Sequence, residues 1–84
     1  MNLTKRDKNQ INEHVYRIMR LLQIAVIRRD DLRKEFYLGE VRGYLSSLLS
    51  LDYITHDQYH DACDFAYDIA GNLRKDVPKC IIVW

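Results

Sequence analysis

The sequence predicts an all-α fold, a bundle of three helices with an extended apolar C-terminal tail. Apolar residues recur at helical steps through three long segments. Only three Gly and one Pro interrupt 84 residues, so few breaks are available. One short C-terminal stretch reads as extended, with no second strand candidate to pair with it. The length sets a single domain, residues 1–84, with a thin core. With 48% hydrophobic and 30% charged residues, the composition excludes a disordered chain.

The first helix is predicted over about residues 4–28. Thr4 caps it, with Asp7 three positions on. Ile11, Val15, Ile18, Leu22 and Ala25 then step by four, three, four and three along one face. Leu21, Ile24 and Ile27 widen that surface. Arg28-Arg29-Asp30-Asp31 breaks the pattern, and either Asp30 or Asp31 caps the second helix; a continuous bent helix is the alternative.

The second helix is predicted over about residues 31–50. Leu38, Val41, Leu45, Leu48 and Leu49 form its main core face. Leu32, Phe36, Gly39 and Gly43 form a second face, which predicts a central helix apolar on two sides. Each Gly costs about 1 kcal/mol against Ala in a helix. Their spacing therefore predicts close approach of another backbone, within the chain or across a homodimer.

The third helix is predicted over about residues 55–72. Thr55 and Gln58 form a capping box, with Ile54 and Tyr59 as its hydrophobic staple. Tyr59, Ala62, Cys63, Ala66, Ile69, Ala70 and Leu73 are assigned to the core, and Gly71-Asn72 loosens or ends the helix. The short link from Leu49 to Thr55 makes the last two helices an antiparallel hairpin. After Pro78, the tail Cys80-Ile81-Ile82-Val83-Trp84 has two open placements. It lies across the bundle as a lid, or it docks on another subunit or a partner.

Charge is unevenly laid out. Residues 1–34 hold nine Lys/Arg against four acids, whereas residues 52–68 hold five Asp and no Lys or Arg. Asp57, Asp61, Asp64 and Asp68 share one helix face opposite the apolar stripe. That face is solvated, paired with the basic half, or a contact for a basic partner. In the last case it imitates spaced phosphates. The same Asp residues argue against a helix-turn-helix, where the corresponding helix meets DNA phosphates. Arg28, Arg29, Arg33 and Lys34 form the alternative, a nucleic-acid contact without sequence reading.

Six Tyr are many for this length. Tyr37 and Tyr44 share a face and, with Trp84, are assigned to partner contact. His56, His60 and Cys63 or Asp64 fall near one another, but no full zinc motif is present, so no metal site is assigned. No nucleophile elbow, Gly-rich phosphate loop or Cys/His arrangement is present, which predicts a protein that is not an enzyme and needs no cofactor. Cys63 and Cys80 read as free thiols. No apolar run approaches the roughly 20 residues needed to span a bilayer, and the start Met1-Asn2-Leu3-Thr4 lacks a secretory signal. Both point to a cytoplasmic protein.

The stretch Val41-Arg42-Gly43-Tyr44-Leu45-Ser46-Ser47-Leu48-Leu49-Ser50-Leu51-Asp52-Tyr53-Ile54-Thr55, followed by Tyr59, resembles a helical hairpin common in small phage and prophage proteins. A Leu-rich helix, a D-Y-I-T turn and a capped helix with an aromatic at its fourth position carry the resemblance. It implies a phage accessory protein that binds and redirects or inhibits a host protein, defence proteins included. It assigns no functional residue. The expected function is thus a non-catalytic protein-binding module, with nucleic-acid binding as the alternative.

Overall fold

The computed structural model describes residues 2–84. They form three α-helices, α1 Lys5–Ile27, α2 Asp31–Ser50 and α3 His56–Ala70, and no strand among the described residues. Both predicted capping boxes form. The Thr4 amide donates to Asp7 Oδ2 at 3.0 Å, and the Asp7 amide donates to Thr4 Oγ1 at 3.1 Å. Thr55 and Gln58 make the same exchange at 2.8 and 3.1 Å. Between the two candidate caps of α2, Asp30 is the one used: its Oδ1 accepts from the Arg33 amide at 3.1 Å.

The three helices end alike. Arg29, Asp52 and Asn72 each take the left-handed conformation, with φ of 54°, 60° and 59°. The next amide in each case, from Asp30, Tyr53 or Leu73, reaches back five residues to Ala25, Leu48 or Asp68 at 2.8 to 2.9 Å. These bonds satisfy carbonyls that the helix leaves open. Asp30 serves twice, closing α1 with its amide and opening α2 with its side chain. That makes a sharp turn instead of a continuous helix. At the end of α3, Gly71 keeps φ of −82° and Asn72 takes the left-handed position. The helix therefore stops at Ala70, short of the expected residue 72, and Leu73 swings out to 81% exposure instead of joining the core.

The core draws Val15, Met19 and Leu22 from α1, Val41 and Leu45 from α2, and Ala62, Ala66 and Ile69 from α3. Short turns make the helices run up, down and up. His14 meets Tyr44 across α1 and α2, and Ser46 meets Tyr59 across α2 and α3. The helix buried over the widest arc is α1, because it faces α2, α3 and the tail. The expectation of a central second helix is corrected. Only the Val41–Leu45–Leu48 stripe of α2 is fully buried, while Leu32, Phe36, Gly39 and Gly43 face outward. A Cβ at either Gly would meet nothing within 4 Å, so no backbone of this chain packs there. Leu21, Ile24 and Ile27 also stay largely exposed.

The tail lies over its own bundle. It runs back along α1, from a hydrogen bond between Gln23 Nε2 and the Lys75 carbonyl to Asn12 near the other end. Asn12 pairs with Ile82 as a neighbouring strand would. Its Nδ2 donates to the Ile82 carbonyl at 3.0 Å, and its Oδ1 accepts from the Ile82 amide at 2.8 Å. The lone extended segment thus satisfies its backbone without a second strand. Ile81 and Ile82 are buried, each contributing about 1.5–3 kcal/mol. Gln58 of α3 donates to the Val83 carbonyl at 2.8 Å, so the tail bridges α1 and α3.

Candidate functional site

The strongest candidate surface is the outward face of α3. The apolar stripe Ala62, Cys63, Ala66 and Ile69 turns inward. The opposite side carries Asp57, Asp61, Asp64 and Asp68, all exposed. At 1.5 Å rise per residue the four carboxylates span about 17 Å. The ion pairs among the described residues are Arg17–Glu13, Arg33–Asp30 and Lys34–Asp31. Each lies within one helix or its cap, and none involves the four Asp residues. Pairing of this face with the basic half of the chain is therefore not what the fold does.

The predicted aromatic contacts divide between two places. Gln58 holds Val83 beside the first turn of α3, which carries Asp57. Trp84 follows, partly exposed, with Lys8 Nζ 5.5 Å from its ring centroid. Tyr37 and Tyr44 lie elsewhere, half-buried on α2. Tyr44 meets His14 with ring centroids 4.3 Å apart and planes tilted by 51°, and burial pushes its phenol pKa up. Tyr37 meets Phe36 edge-on at 5.3 Å. These two rings seal the helix packing and do not extend the Asp face.

A second charged surface forms where α1 turns into α2. Arg33 lies 3.5 Å from Asp30, and Lys34 lies 3.8 Å from Asp31. Arg28 and Arg29 occupy the cap and the left-handed position of α1 and are exposed. The fold adds residues that the sequence reading passed over. Arg74 and Lys75 line a hollow of about 360 Å³ together with Arg29. The Arg74 guanidinium also lies 3.9 Å over the Phe65 ring. The signal was available: in an up-down-up bundle the end of the third helix returns to the end of the first.

His56 and His60 are exposed on α3, whereas Cys63 turns into the core. Burial pushes the Cys63 thiol pKa up, against a hydrogen bond with Tyr59. No group of three His, Cys, Asp or Glu is placed to share a metal among the described residues. No helix among them is long and apolar enough to cross a membrane. Comparison of the chain with protein-family models, curated proteins and solved structures gives no match.

Proposed function

We propose that this chain is a non-catalytic protein-binding module whose contact surface is the Asp57–Asp61–Asp64–Asp68 face of α3 and whose partner presents a basic surface. The observation that carries this is that none of the ion pairs among the described residues involves these four aligned, exposed carboxylates. Aligned like charges on a helix repel by a few tenths of a kcal/mol per pair, and an incoming basic surface relieves that repulsion. The exposed Val83, held by Gln58 beside the first turn of α3, supplies apolar area, and Trp84 follows it, partly exposed, beside Lys8 of α1. The resemblance of residues 41–59 to phage accessory hairpins suggests a host protein as the partner, with modulation or inhibition of that protein, in the cytoplasm, as the outcome.

Capture from a bacterial lysate tests this. The wild-type chain is compared with the variant Asp57→Lys, Asp61→Lys, Asp64→Lys, Asp68→Lys, with helix content checked by circular dichroism. A partner held by the wild type and lost from the folded variant supports the proposal. Equal retention refutes it.

Convergence of Arg29, Arg74 and Lys75 on one hollow favours a second use, contact with nucleic-acid phosphates. With Arg28 added, about four free cations imply a salt slope near −3.6 for duplex DNA. Absence of binding at low salt removes this alternative.

A further inference from the structure

The outward face of α2 is open to solvent apart from one contact at its C-terminal end, where Ser46 Oγ lies 3.3 Å from the Tyr59 hydroxyl of α3. Leu32, Phe36, Gly39, Gly43, Ser46 and Ser50 step by four, three, four, three and four, the spacing of a helix-pairing seam. All six are exposed, Leu32 at 87% and Phe36 at 60%. The N-terminal half of the seam is bulky and the next part is hollow, since a Cβ at Gly39 or Gly43 would meet nothing within 4 Å. Arg33 and Glu40 flank one edge of the seam, and Glu35 and Arg42 flank the other. Neither Glu35 nor Glu40 has an ion pair among the described residues. Arg42 lies 5.8 Å over Tyr67, and Arg33 reaches Asp30 at 3.5 Å.

We infer that α2 is the interface of an antiparallel homodimer, in which a second copy of this chain packs the same face across a two-fold axis between residues 37 and 38. That axis sets Phe36 over the partner's Gly39 and Leu32 over the partner's Gly43. Large side chains then fill the space left by the missing Cβ atoms. Charge selects this arrangement over its neighbours. In this register Glu35 meets the partner's Arg42 and Arg33 meets the partner's Glu40, and symmetry repeats both pairs. Sliding to the next antiparallel register sets Glu40 against the partner's Glu40 and Arg42 against the partner's Arg42. A parallel pair sets Glu35 against the partner's Glu40. The interface is a single helix face, so the dimer belongs to the weak, reversible class. It is independent of the Asp face of α3 and leaves that face open.

Sedimentation equilibrium over a concentration series tests the inference on the full chain. The wild type is expected to show a reversible monomer–dimer equilibrium. Glu35→Arg sets like charges against the partner's Arg42 and raises the dissociation constant about tenfold. Adding Arg42→Glu to it restores opposite charges and wild-type association. Gly39→Leu fills the space that Phe36 of the partner subunit occupies and weakens the dimer, with no loss of helix content because that space is open in the monomer. A wild type that stays monomeric throughout overturns the inference. So does a dimer that either single substitution leaves unchanged or tightens.

Discussion

Replacing Asn12 with Ala is predicted to unlatch the tail while the helices stay folded. Asn12 is 5% exposed and makes both hydrogen bonds of Ile82, at 2.8 and 3.0 Å. Alanine leaves a buried amide and a buried carbonyl without partners. At about 1–3 kcal/mol for each orphaned group, the loss is about 2–6 kcal/mol. That is comparable to what burial of Ile81 and Ile82 together contributes, but not to the packing of three helices. Trp84 is the only Trp and sits at the end of the tail, so its fluorescence reports the tail while circular dichroism reports the helices. In urea, the wild type should lose both signals together. In Asn12→Ala, the Trp84 emission should shift to the red at lower urea than the helix signal. Coincident transitions at the wild-type midpoint would refute the latch.

Other predictions address the helix ends, acid and the thiols. Arg29→Gly removes left-handed strain at φ of 54° and should stabilise by about 1 kcal/mol. Thermal unfolding should show this as a rise of about 4–8 °C; no rise would contradict the strain. Asp52→Gly and Asn72→Gly should gain less, because Asp and Asn tolerate this conformation. Hydrogen bonds from the Thr4 backbone and then its side chain lower the Asp7 pKa. The stability Asp7 contributes is therefore complete above the ordinary carboxyl value of about 4 and is lost as pH falls through the lower folded value. An acid titration of Asp7→Asn should lack that part of the pH dependence. Cys80 is exposed and Cys63 buried with a raised pKa, so a thiol reagent should label Cys80 rapidly and Cys63 only on unfolding. Two fast phases in the native chain would contradict this placement.

The starts of α1 and α3 were legible because Thr4 and Thr55 carry their signal within three residues, whereas adjacent Asp30 and Asp31 left the start of α2 open until the fold showed Asp30 as its cap. Helix ends were harder, because Arg29 and Asp52 occupy positions where Gly is the usual marker. Apolar spacing identified Val41, Leu45 and Leu48 correctly. The same logic placed Leu32, Phe36 and Leu73 inside, since periodicity records a face and not what covers it. The Asp face of α3 was legible as a face. Only the fold shows that no Lys or Arg reaches it, because charge pairing depends on which helix ends meet. Arg74 and Lys75 join Arg29 through that same topology. The Asn12–Ile82 pairing had no local signal, since the two residues lie 70 positions apart.

The most direct test of the acidic-face claim is a carboxylate footprint of the captured complex. Carboxyls of the free chain and of the partner-bound chain are labelled with a carbodiimide and a neutral amine, then quantified residue by residue by mass spectrometry. The acidic-face account predicts protection of Asp57, Asp61, Asp64 and Asp68 on partner binding, with Glu13 and Asp52 labelled as in the free chain. Undiminished labelling of the four α3 carboxylates in the bound state would contradict it.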